Sequence, residues 1–241
     1  MSVSGEAEVN RGAQALQPLD RFAGSLGQKV YAALRHAILT LELRPGEALR
    51  KPELCAHFGV SRSPVSDAML RLAAEGLVDV APQAGTFVAR FSMNDLREGA
   101  FLREAIEVAA VERVAARADA AQIVQLSRAL AMQAALVTEG DHAGFYALDY
   151  EMHEMLLSFT GYRRVALVAQ TAWHNVNRAR RLILPAPGRV EATLEEHRVI
   201  VDAVAARDPA AASAAMRAHL RQLIRYLEPL ERERPDYFVP S

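Results

Sequence analysis

Apolar residues recur along this chain first with a helical period, then with a short β-type period, then with a helical period again. Residues 26–41, LGQKVYAALRHAILTL, place Val30, Leu34, Ala37, Ile38 and Leu41 on one stripe of a helix. A turn at RPGE (44–47) follows, and then ELCAHFGVSRSPVSDAMLRLAAEG over 53–76. Gly59 stands where the chain must turn sharply, because glycine enters left-handed conformations without steric cost. Val60 restarts the apolar pattern, Ser61 or Ser63 is placed to cap a second helix, and Pro64 fits its first turn. Val65, Ala68, Met69 and Leu72 then recur at i, i+3, i+4 and i+7, which buries one face of that helix. Next come GLVDV (76–80) and GTFVA (85–89), two β-branched runs around APQAG, the pattern of a hairpin. Helix, helix-turn-helix and hairpin together predict a winged helix-turn-helix over residues 22–90.

From residue 92 the pattern is alanine-rich and helical, with no strand signal. Ser92 before Asp95, Asp119 before Gln122, Asp141, and Asp208 before Pro209 mark helix starts, and Gly140 and Gly161 mark ends. Six helices are expected, near 93–118, 120–138, 141–159, 162–183, 190–206 and 209–231. Their short connections make neighbours antiparallel, so residues 92–232 should form an all-α bundle. The fold class expected is therefore mainly α. Residues 1–21 read as a disordered arm and 233–241 as a loose tail.

Composition narrows the function classes. Half of the residues are hydrophobic, enough for two cores, yet no apolar run approaches the length that spans a bilayer. The N-terminal stretch lacks the basic and apolar blocks of a secretory signal. One cysteine, Cys55, excludes an internal disulfide framework and suits a reducing cytoplasm; its small, inward-facing helix position suggests burial. The net charge of −1 argues against a protein that merely coats nucleic acid. Residues 22–90 nevertheless carry eight Lys/Arg against six Asp/Glu, a bias of the sign a DNA module needs. The solvent face of the second HTH helix presents Arg62, Ser63, Ser66 and Arg71 from its first turns, with Ser61 at its start, where a recognition helix meets the major groove.

The helical half holds a sharper signal. Asp149 and His153 in YALDYEMHEMLL are four apart, one above the other on a helix face. His197 and His219 each lie eleven residues from Asp208, the centre of the turn between the last two helices. An antiparallel hairpin there brings both imidazoles to one level. Three histidines and a carboxylate then converge as a ligand set for a divalent ion, zinc first, with nickel, manganese and iron as alternates. His36, His57, His142 and His174 have no such relation. Taken singly, each of the four is more ordinarily a hydrogen-bonded or solvated side chain; the level placement singles out the set.

Read whole, the chain resembles the GntR family of transcriptional regulators, in its FadR-like subfamily with an FCD ligand-binding domain. The likeness covers about residues 22–232 and is carried by RPGEALRKPELCAHFGVSRSPVSDAMLRLAAEGLVDVAPQAGTFVA, FLREAIEVAAVERVA, DYEMH and EEHRVIVDAVAARDPAAASAAMRAHL. The resemblance implies a homodimer on operator DNA, not an enzyme, and a metal held by Asp149, His153, His197 and His219. It further implies a small carboxylate effector beside that metal. Arg103 matches a recurrent arginine of this family near the cavity, or else pairs with Glu107 one turn on; Asn175 is a second polar candidate. Pro52 and Ser66 stand where the family commonly has arginine, and the wing APQAG lacks a basic residue. Since arginine is the usual bidentate reader of guanine, an altered operator is expected, read by Arg62, Arg50 and Lys51 with Thr86 of the hairpin. Two rivals stay open: a helical-bundle metalloenzyme acting on a small acid, against which no spare Glu or His is placed as a general base, and a regulator whose metal is purely structural.

Overall fold

The structure, a computed structural model, describes residues 16–240. The described residues form ten α-helices and one two-stranded antiparallel hairpin, in two compact units. One unit takes the chain up to Met93 together with its end from Glu231; the other is Asn94–Leu230. No helix among the described residues is long and apolar enough to cross a membrane.

In the first unit, α1 spans Leu26–Leu39, α2 Lys51–Phe58 and α3 Arg62–Ala74, followed by β1 (Val78–Ala81) and β2 (Gly85–Val88). A capping box between Ser25 and Gln28 starts α1. The helix stops short of the expected residue 41, because Leu41 turns to a φ of 64° and leaves the stripe half-buried. Gly59 adopts φ 63°, ψ 34° and ends α2, the left-handed turn its position called for. Leu34, Ile38, Val65, Leu72, Leu77 and Val88 are completely buried between α1, α3 and the hairpin. Burying each such side chain stabilises the unit by about 1.5–3 kcal/mol. The strands pair Val78 with Val88 and Ala81 with Gly85. Residues 46–49, of which the sequence reading assigned only 46 and 47, to a turn, extend this ladder. The Gly46 N–H donates to the Val88 carbonyl (2.8 Å), and the Leu49 N–H to that of Thr86 (2.7 Å).

Both chain ends correct the sequence reading. Of the arm expected over 1–21, residues 1–15 lie outside the described residues. Residues 16–21 are structured, with Leu16 buried in the core and a 3-10 turn at Leu19–Arg21. The closing residues are docked, not loose. Phe91 and Phe238 form a parallel bridge, with Phe91 N–H donating to Tyr237 O (2.9 Å) and Val239 N–H to Phe91 O (2.8 Å). Both rings are buried, so a single aromatic anchor outweighs the freedom of a polar tail.

The second unit has seven helices where six were expected: α4 (Met93–Arg117), α5 (Ala120–Glu139), α6 (His142–Phe159), α7 (Arg163–Ala172), α8 (His174–Ile183), α9 (Arg189–Ala205) and α10 (Pro209–Glu233). The extra boundary falls at Trp173, which leaves helical geometry (φ −110°, ψ 12°) and is buried at 4% exposure. Periodicity misses it because both halves keep a helical pattern across the break. Starts and stops otherwise follow local chemistry. Asp119 and Gln122 form a capping box, Asp141 accepts from Gly144 N–H (2.8 Å), Asp208 accepts from Ala211 N–H (2.9 Å), and Gly140 closes α5 at φ 72°. Val111, Leu126, Met152, Ile200, Val204 and Met216 fill the core.

Candidate metal centre and nucleic-acid interface

Packing of three helices brings Asp149 and His153 of α6 against His197 of α9 and His219 of α10. One ligand atom from each lies within 4.8 Å of the others, and all four residues are buried. The three imidazoles contact one another, with His197 and His219 ring centroids 4.8 Å apart. Folding the α9–α10 hairpin about Asp208 thus levels its two histidines.

Each imidazole is held from behind. His153 Nδ1 donates to Glu107 Oε2 (2.5 Å), His197 Nδ1 to Gln133 Oε1 (2.8 Å), and His219 Nδ1 to Glu196 Oε2 (2.7 Å). The Gln133 amide is itself oriented, its nitrogen donating to the Leu148 carbonyl at 3.1 Å. With every Nδ1 carrying its proton outward, every Nε2 presents a lone pair inward. His219 Nε2 and His153 Nε2 lie 3.2 Å apart, and His197 Nε2 is 3.1 Å from Asp149 Oδ1. In this tautomer these are acceptors facing acceptors. Asp149 Oδ1 and His197 Nε2 accordingly are buried without a hydrogen-bond partner. Such a cluster of unsatisfied lone pairs fits a cation.

Electrostatics keeps the donors in ligating form. Burial pushes the His197 and His219 imidazoles below their usual range, His219 further because His197 and His153 adjoin it. For Asp149, burial would raise the carboxyl, but the Arg180 guanidinium, bonded to Oδ2, wins and holds it well below the ordinary value. Glu107 is likewise held low against its own burial by Arg103 and His153. Neutral imidazoles and an ionised carboxylate are what a divalent ion needs.

Around this centre the sequence reading was incomplete. Arg103 is buried and donates to Glu107 Oε1 (2.6 Å), so its two candidate roles coexist: it pairs along α4 and also lines the cavity beside Asp149 and His219. Asn175 is half-buried on α8 but does not line that cavity; Arg180 and Arg189 do, and neither was anticipated. Arg189 grips Glu196 through both terminal nitrogens (2.7 and 2.8 Å), and Glu196 in turn orients His219. Nothing local distinguishes Arg180 and Arg189 from other arginines in RARRLILPAPGR. Glu196, adjacent to His197, carried a signal only in hindsight of the hairpin.

The first unit presents its candidates outward. Ser61, Arg62 and Ser63 are exposed at the start of α3, and Ser66 is half-buried one turn on. Ser61 occupies the cap position without a side-chain capping bond, so neither expected serine cap is made. Arg50, Lys51 and Thr86 line one groove between the start of α2 and the hairpin. Arg50 is within 3.3 Å of Glu53, an exposed pair of little strength. Arg71 departs from expectation. Although exposed, its guanidinium stacks on the Tyr31 ring at 3.9 Å, and Tyr31 donates to Glu75 (2.5 Å), so it joins α3 to α1.

Both units match known families. Residues 26–88 match the bacterial regulatory proteins of the gntR family, and residues 98–222 match the FCD domain. An HTH-type transcriptional regulator from an unstable DNA locus of Streptomyces ambofaciens is 37% identical over 210 residues, 87% of this chain and 88% of that protein. The transcriptional repressor RspR of Escherichia coli is 30% identical, covering 88% and 93%. Among solved structures, a GntR transcriptional regulator from Rhodococcus superposes with a TM-score of 0.72 at 25% identity, over 84% of this chain and 97% of that one.

Proposed function

Because this chain belongs to the GntR family of bacterial regulatory proteins, with an FCD domain as its C-terminal half, we propose that it is a metal-dependent repressor that leaves its operator when a small carboxylate binds. Its family and relatives are transcriptional regulators, not enzymes. Residues 22–90 are assigned to DNA and 92–232 to metal and effector. A homodimer in the cytoplasm places two α3 helices in the major grooves of paired half-sites, with Arg62 on base edges. Arg50, Lys51 and Thr86 hold the phosphate backbone, and affinity falls with salt.

One observation carries the sensing half: ligand atoms of Asp149, His153, His197 and His219 gather at one buried centre, where Asp149 Oδ1 and His197 Nε2 have no hydrogen-bond partner. Asp149, His153, His197 and His219 would hold a divalent ion, zinc first, with nickel, manganese and iron as alternates. Bound there, the ion supplies open coordination positions for an anionic oxygen. Arg103 orients the acid from α4, while Glu107, Gln133 and Glu196 keep the imidazoles in register. For release, the acid must bind the DNA-incompetent arrangement more tightly than the competent one; equal affinity for both shifts nothing.

The test pairs metal analysis with DNA binding. Dialysed protein should retain close to one divalent ion per chain, and DNA from upstream of its own gene should be released by an organic acid only in the metal-loaded state. Metal-free wild-type protein after loading and dialysis would remove the centre. Full metal with no response across a broad acid panel would leave the ion structural.

A further inference from the structure

The cavity beside Asp149 and His219 is lined by two arginines that each keep one donor with nothing to bond. Arg103 Nη2 and Arg189 Nε are buried without a hydrogen-bond partner, on residues only 3% and 4% exposed that line this same cavity. Buried N–H groups on a guanidinium are rarely left unsatisfied, so each marks a place for an acceptor. Glu107 already holds Arg103 through Nε, and Glu196 already holds Arg189 through Nη1 and Nη2; the idle donors are therefore fixed in position, not swinging in solvent.

Charge points the same way. The arginines lining the cavity are matched one to one, Arg103 by Glu107, Arg180 by Asp149 and Arg189 by Glu196. Neutral histidines add nothing. A divalent ion at the centre brings two positive charges that these pairs do not offset, in a place where uncompensated charge is costly. The space is small, about 20 Å³, room for one or two waters, so a short occupant is favoured and its entry would require the apolar part of the lining, Ile183, Leu184 and Leu223, to give way.

We infer that the effector is a compact dianion whose first acidic group sits between the metal side and Arg103 Nη2, and whose second is taken by Arg189 Nε. Arg189 is then the residue that separates diacids from monoacids. The inference rests on the metal-centre reading above and adds to it the charge of the ligand and the residue that selects it.

The experiment titrates zinc-loaded full-length protein calorimetrically with succinate and its monoamide succinamate, and with malonate and malonamate. Each pair keeps size and removes one charge. At least one diacid should bind about tenfold or more tightly than its monoamide, since a site built around a specific polar contact penalises its loss. Arg189→Gln, titrated at saturating zinc because Arg189 also holds Glu196 behind His219, should bring that ratio to within about threefold, and Arg189→Lys, which keeps the charge, should retain part of it. Arg198→Gln, on the exposed face of the same helix, should leave the ratio as it is. Equal binding of diacid and monoamide, no binding of either diacid, or an undiminished ratio in folded Arg189→Gln overturns the inference. Zinc stoichiometry on the same samples reports separately on the centre, and the wild-type ratio decides the question even where an Arg189 variant fails to fold.

Discussion

At the start of α3, Arg62 and Ser63 stand in solvent, whereas Asp149, His153, His197 and His219 are at most 6% exposed and each is anchored by a further side chain. The first arrangement keeps polar groups available for a partner that arrives with its own acceptors. The second removes polar groups from water and leaves a few of them unsatisfied, an arrangement that suits a cation. An exposed reading surface tolerates substitution at little cost in stability; a buried centre ties recognition to the packing of the whole bundle.

The largest separation between the two regions is expected from the ligands themselves. His219→Ala should weaken metal binding by about 100-fold or more, beyond what loss of an orienting group costs, while operator binding without acid persists. A variant with wild-type metal content after dialysis would refute the ligand assignment. Conversely, Arg62→Ala should weaken operator binding by about 10- to 100-fold, the cost of a lost base contact, with metal content intact. Arg71→Ala should weaken the same gel shift less, because Arg71 is engaged by Tyr31; an order reversed between the two would move the reading face along α3.

Smaller effects sharpen the contrast. Glu107→Gln keeps the shape but alters the support of His153, and should lower metal affinity by about tenfold without changing DNA affinity. Acid should act through the helical unit. His197 and His219 have folded values below the ordinary 6.5, so below that pH the unfolded chain takes up protons that the folded chain refuses. Stability of the metal-free protein should therefore fall as pH drops from 7 to 5, by up to about 1.4 kcal/mol per pH unit for each histidine. Asp149, held low, adds a loss only as pH falls below its ordinary 3.8. A melting temperature flat across pH 5–7 would show these imidazoles to be titrating freely.

Much of this could be read before folding was considered. The helix-turn-helix follows from Gly59 and the Val65–Leu72 stripe, and the helix starts from Asp119, Asp141 and Asp208, because these effects act within a turn of the residue concerned. The ligand set was legible by an unusual route, since Asp149 and His153 share a helix face and a single short hairpin relates His197 to His219. What escaped was whatever depended on distant burial. The docking of Phe238 on Phe91 and the stacking of Arg71 on Tyr31 each pair residues from separate segments, and the break at Trp173 falls where that side chain is buried.

The amino-acid order by itself determined where most helices begin and end, which faces are apolar and which residue types could read DNA or ligate a metal. These properties arise from local sterics, capping and periodicity. Only the tertiary structure decided that Glu107, Gln133 and Glu196 turn three imidazoles inward, that Arg180 holds Asp149, and that Arg103 and Arg189 face one cavity with donors to spare. Hydrogen bonds and ion pairs of that kind gain their strength from burial, and burial is a property of the packed bundle, not of any one segment.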